Sequence, residues 1–235
     1  MFRQIALTLL FSSLLLGCAV QSEDSYVSSP KSELSRRFVD TVILGSEYGQ
    51  SGAVSRFAKS PRLSIFGADS ARRSMVTSAT AQINRAIFNS RIQINVGAES
   101  DRSADILLYY APMSQFASIA RENGFEYSSG NSGFFWIFWN GNHEITKAVV
   151  MIASDVHTEN QLRSVTLEEL TQAMGAVNDQ AFLNGSIFYE TASDAGFAQE
   201  LSVMDQKLMA FLYGRLNPGY DKRAVDYVFN RYWVD

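Results

Sequence analysis

Residues 165–179, VTLEELTQAMGAVND, are the stretch from which the fold is read. Val165, Leu167, Leu170, Met174 and Val177 recur close to one face of a 3.6-residue period, which predicts a helix that Gly175 then ends. Two starts fit it. Thr166 to Glu169 forms one capping box, which would commit Glu169 to its own N-terminus; Thr158 with Gln161 forms an earlier one, which turns Glu169 toward a cleft instead. Glu168 and Gln172 stand one turn apart, and Asn178 or Asp179 returns after Gly175. A polar cluster over an apolar layer is therefore expected, whose members satisfy one another's hydrogen bonds. Adjacent helix positions point about 100° apart, so Glu168 and Glu169 are not a shared acid pair by spacing alone.

The same stretch resembles the metzincin zinc-protease pattern H-E-x-x-H-x-x-G-x-x-H, reading Glu168-Glu169-x-x-Gln172-x-x-Gly175-x-x-Asn178. In that pattern two histidines one turn apart hold zinc, the Glu beside the first activates a water, and the Gly turns the chain back with a third ligand. The resemblance thus implies Glu169 as the one catalytic candidate, a general base. It also implies that Glu168, Gln172 and Asn178 stand where ligands would be, and it favours the earlier helix start. Downstream, Ser186-Ile187-Phe188-Tyr189 is similar to the turn whose Met underlies the metal, with Phe188 in place of that Met. Residues 201–214, LSVMDQKLMAFLYG, are similar to the closing helix of matrixin-type chains. Together, E-E-x-x-Q-x-x-G-x-x-N-D, S-I-F and L-S-x-x-D-x-x-L-x-x-L-Y resemble an uncharacterised bacterial family, domain of unknown function 2927, over roughly residues 57–219. That family brings no established activity. The fold implied is a zincin-like α+β mixed sheet with a long N-terminal helix, a central motif helix and C-terminal helices.

The N-terminus reads as an address. Arg3 precedes an apolar run at 5–16, too short for a membrane span of about 20 residues, and Leu15-Leu16-Gly17-Cys18 resembles a bacterial lipobox. Residues 1–17 are expected to be a cleaved signal peptide and Cys18 the lipidated first residue, anchoring the chain in a membrane of the cell envelope. Ala19 in place of an Asp points to the outer membrane, on its periplasmic face. The Ser-rich segment 18–32 reads as a tether to a single domain over 33–235. Cys18 is the only cysteine, so a lipidated chain has no disulfide and no thiolate site. Of 235 residues 46% are hydrophobic and 19% charged, a globular composition, and the net charge of -4 argues against a nucleic-acid partner.

Along the chain, periodicity predicts helices over 33–44, 70–90, 116–121 and 221–233, and strands over 62–66, 92–96, 105–110, 134–139 and 145–153. The break after the first helix is assigned to 48–52. Asn140-Gly141 marks a hairpin between the last two strands, and Phe134, Phe135, Trp136 and Phe138 put aromatics on both faces of the first of them.

Two histidines, His143 and His157, cannot supply a three-His zinc site. His143 opens HEITK, with Lys147 where a second ligand would stand, and it falls on the hairpin. His157 precedes the helix cap Thr158 and is expected to be a solvated loop residue, with an approach to the helix start as the alternative. Amide oxygens of Gln172 and Asn178 are poor zinc donors, so no metal and no cofactor are expected. Two functions stay open. The first is a non-catalytic binding or structural module of the envelope, with an unidentified protein or cell-wall partner. The second is a peptidase or cell-wall hydrolase using Glu169 with a non-zinc metal or none.

Overall fold

The computed structural model describes residues 32–45, 52–190 and 198–235. Cys18, the signal peptide at 1–17, nearly all of the 18–32 segment and most of the break at 48–52 lie outside the described residues.

Five strands form one mixed sheet in the order β2-β1-β3-β5-β4. They are β1 (Arg62–Phe66), β2 (Asn95–Val96), β3 (Ile106–Ala111), β4 (Gly133–Trp139) and β5 (Ile145–Ala153). The first three join β5 through parallel ladders, and β4 closes the edge antiparallel to β5. Strand β3 and most of β5 are buried, as a continuous apolar run in the middle of a covered sheet should be. Six α-helices accompany the sheet among the described residues: α1 (Glu33–Leu44), α2 (Ser70–Ala86), α3 (Phe116–Glu122), α4 (Glu159–Gln172), α5 (Val203–Arg215) and α6 (Lys222–Tyr232). The class is α+β, and the opening order of strand, long helix, strand and strand is the one expected of a zincin-like chain.

Two expectations shift. Helix α2 ends at Ala86 rather than at 90, because a 3-10 turn over Phe88–Ser90 is followed by Arg91 in a left-handed conformation (φ 62°). The strand expected over 92–96 shrinks to Asn95–Val96. Preceding amides that a ladder would use are taken by side chains instead: Gln93 N donates to Ser60 Oγ (3.1 Å) and Ile94 N to Asn84 Oδ1 (2.7 Å).

The main core lies on one sheet face, under α1, α2, α4, α5 and α6. Phe135 and Ile137 of β4 point into it. Phe134, Trp136 and Phe138 belong to the opposite face, where they meet Phe125 under α3 in a smaller aromatic core. Helix α4 is fastened to the sheet by Tyr110, whose hydroxyl pairs with Thr166 Oγ1 at 2.7 Å, and burial pushes that phenol up to about 12. Tyr213 of α5 donates to the Met174 carbonyl at 2.8 Å, tying the turn after α4 to the closing helix.

The fully buried Asp205 joins the last two parts. It caps α5 reciprocally with Ser202, accepts from Ser186 Oγ at 2.6 Å, and accepts from the amide of Ile187 at 3.1 Å. Burial raises its carboxyl above the usual range, and the donors from Ser186, Ser202 and Ile187 pull it back. Asp205→Ala would strand these donors and remove a cap. Urea denaturation should show a loss of about 2–4 kcal/mol, with Asp205→Asn, which keeps one acceptor, falling between it and the parent.

Candidate functional site

Helix α4 starts at the earlier of the two caps: Thr158 and Gln161 form the capping box. Glu169 therefore sits late in the helix, away from its N-terminus, and is buried (8% exposed). With Glu168 and Gln172 it forms one wall of a cleft of about 550 Å³. The segment leading into β4 supplies a second wall. There the backbone of Gly133 passes so close that a Cβ on it would collide with Glu169 Oε1 and Val165 Cγ1. Only a residue without a side chain leaves space for this carboxylate.

The third wall is the chain that returns after the helix. Gly175 has φ 110°, and a Cβ there would strike the Ser55 carbonyl, so the turn needs glycine for conformation and for space. The return brings Asp179 back to α4, where Gln172 Nε2 donates to Asp179 Oδ1 at 2.7 Å. Gln180 then accepts from the amides of Phe182 and Leu183 and pairs along the backbone with the 188–190 segment, setting Tyr189 and Glu190 on the cleft.

The expected cluster is thus partly assembled. Glu168, Glu169, Gln172 and Asp179 converge on the cleft. Asn178 does not line it: its side chain packs against Gly45 beyond α1, and Nδ2 donates to the Asp179 carbonyl at 3.1 Å. Tight turning at Gly175 brings residue 179, not 178, opposite Gln172. Phe188 is fully buried in the main core with its ring 6.2 Å from Phe38. It supports the turn from below, and its neighbours Tyr189 and Glu190 reach the cleft.

His157 corrects the sequence reading. Rather than being solvated, it is half-buried and lines the cleft, its Nε2 3.4 Å from the Ser132 carbonyl. Burial lowers its pKa, against smaller opposing effects of the Ser132 carbonyl and Asp155. Its place just before a capping box, on the helix that carries the motif, was the available signal. His143 stands in the turn after β4 with φ 59°, so HEITK is a hairpin feature as expected.

Four carboxylates, Glu168, Glu169, Asp179 and Glu190, face this cleft, and among the described residues that line it there is no lysine or arginine. The donors nevertheless do not suit a zincin-type metal centre. Asn178 is turned out, Asp179 Oδ1 accepts from Gln172 Nε2, and among the described residues no group of three or more His, Cys, Asp or Glu is placed to hold an ion.

A family model described as Protein of unknown function (DUF2927) matches residues 31–231, nearly the whole chain. The chain belongs to this family. No curated protein matches it in sequence. Among solved structures, this DUF2927 chain is similar to two of myroilysin, each at 11% identity. One covers 77% of this chain and 96% of that one with a TM-score of 0.44; the other covers 72% and 89% with 0.42. At that level the likeness says nothing about activity.

Three measurements check this geometry. Gln172→Leu leaves Asp179 without its amide donor and should lower stability by about 1–3 kcal/mol in urea denaturation. Gly133→Ala should cost a similar ~1–3 kcal/mol through overpacking against Glu169 and Val165. His157 has a depressed folded pKa, so its contribution is present above its ordinary value of 6.5 and lost as pH falls through the folded value. Relative to His157→Gln, the parent should therefore lose stability between pH 7.5 and pH 5.5.

Proposed function

We propose that this chain is a lipid-anchored envelope protein that uses a metzincin-like scaffold as a binding or structural module and not as a zinc peptidase. The Gln172–Asp179 hydrogen bond carries this reading, because it spans helix and return loop at the position where the resemblance calls for metal ligands. An amide-to-carboxylate tie does mechanically what the ion would do, and it engages one of the Asp179 oxygens. The lipobox at Cys18 supplies the anchor, and its sorting residue Ala19 directs the protein to the outer membrane, facing the periplasm. Its partner is a protein or cell-wall component that enters the acidic cleft.

Metal analysis of the full chain purified in detergent should find zinc far below stoichiometric, and a melting curve unchanged by chelators. Stoichiometric, tightly held zinc would overturn the proposal.

One observation favours a second reading. Glu169 is buried in the wall of an open cleft that His157 also lines, and burial lowers the pKa of that imidazole, an arrangement suited to a general base. Peptide or peptidoglycan hydrolysis by the parent that disappears in Glu169→Gln, with stability unchanged, would establish the enzyme in place of the module.

A further inference from the structure

The tether enters the domain at a defined place. Ser32, the first described residue, donates its amide to Asp235 Oδ2 at 2.7 Å, and Ser35 of α1 donates to Oδ1 of the same carboxylate. Asp235 also lines a groove of about 530 Å³ between the end of α2, α5 and the residues after α6. Through Gly214, Arg215 and Tyr232 that groove runs into a second one of about 640 Å³ between α5 and α6. The entry point and the double groove form one face.

This face carries much of the exposed apolar surface. Eight large hydrophobic side chains are exposed among the described residues. Tyr227 (66%), Tyr232 (43%) and Val234 (74%) line the grooves, Phe88 (76%) lies between the lining residues Ile87 and Asn89, and Leu34 (44%) stands two residues from the tether. Cations are interleaved with them: Lys207, Arg215 and Arg223 line the grooves, and the Arg215 guanidinium lies over the Tyr232 ring at 4.7 Å. Two carboxylates share the grooves with them, and both are held by hydrogen bonds. Asp221 caps α6, and Asp235 accepts from Ser32, Ser35 and Trp233. Aromatic rings mixed with arginine and lysine suit the headgroup layer of a bilayer, where a ring is half-solvated and a cation meets phosphate.

Chain length selects the same occupant. Cys18 and Ser32 are fourteen residues apart, which bounds their separation at about 50 Å even when fully stretched. A domain of this size is about 40 Å across. For the far side to touch the membrane, the segment would have to run nearly its whole contour around the domain, whereas the groove face is brought to the lipid at any extension. Charge acts in the same sense, since the cleft with its four carboxylates is repelled by an anionic surface that attracts Lys207, Arg215 and Arg223.

Resting on the lipid-anchored reading of Cys18, we infer that the α5–α6 face lies on the anionic bilayer that holds the acyl chains, and that this contact turns the α4 cleft away from the lipid. Partial insertion of Tyr227, Tyr232 and Val234 makes it more than a tethered float.

Because Cys18 is the only cysteine, acylation leaves no other thiol, and a single new cysteine labels cleanly. Full chain carrying Tyr227→Cys, Val234→Cys or, at the cleft rim, Val156→Cys is labelled with an environment-sensitive fluorophore. It is then reconstituted in phosphatidylethanolamine–phosphatidylglycerol vesicles containing a brominated lipid. The label at 227 and 234 should be blue-shifted and quenched several-fold more than at 156, and Arg215→Glu with Arg223→Glu should abolish that difference. Equal quenching at all three positions, with Cys18 acylated by mass spectrometry, overturns the surface contact and leaves the anchor intact. An unacylated Cys18 overturns the anchor together with this inference. Cross-linking between copies at 227 without lipid quenching assigns the face to self-association and also overturns it.

Discussion

A single buried carboxylate, that of Asp205, holds the last third of the chain in register. By capping α5 and binding Ser186 and Ile187 in the same stroke, it fixes a helix N-terminus against a turn nineteen positions upstream. The turn in turn sets where residues 188–190 pass the chain returning from α4, through the backbone pairing of Gln180 with Phe188 and Glu190. Without that fixed point the cleft would have two walls, not three. The cost of burying the charge, visible as an upward push on its pKa, is offset by donors on both sides, which is the condition under which buried polar groups hold one arrangement.

Helix α4 shows how a sequence that looks too polar for an interior helix becomes one. Ser164, Thr166 and Thr171 are buried, yet each hydroxyl has a carbonyl partner, Thr166 and Thr171 on the preceding turn of the same helix and Ser164 on Ala198. Their polarity is absorbed locally, so Leu162, Leu167 and Leu170 can pack normally. Glu168, Glu169 and Gln172 cannot be absorbed that way. Their side chains are too long to fold back on their own turn, and the cleft exists because three side chains on a largely interior helix have to be reached by other polar groups.

Most of this was legible in the chain. Helices α1 and α6, strands β1, β4 and β5 and the Thr158–Gln161 capping box follow from periodicity and side-chain chemistry that act over a few residues. What was not legible depended on contacts distant in sequence. The strand at 92–96 is shortened to Asn95–Val96 because Ser60 and Asn84 compete for its first amides. The choice between Asn178 and Asp179, open in the sequence, depends on the turn at Gly175, which lies against the Ser55 carbonyl about 120 positions upstream, and on how Asn178 packs on Gly45. His157 was underrated because its burial comes from Ser132 on the segment entering β4. The motif stretch places Glu168, Glu169 and Gln172 on one cleft wall; which residue of Asn178-Asp179 faces them is a matter of backbone curvature.

Strand β4, GFFWIFW, has a consequence for how the chain reaches this state. Seven residues without charge or proline, rich in aromatics, form a window that self-associates readily when left unpaired. Here it occupies the outer edge of the sheet, the position most exposed to a neighbouring molecule. Its partner β5 begins only five residues later, so a hairpin can close on a microsecond scale, long before the parallel ladders that need distant segments. Nearness in sequence thereby acts as a chaperone written into the connectivity, sheltering the stickiest segment first and leaving the slower parallel pairings to assemble onto a ribbon already formed.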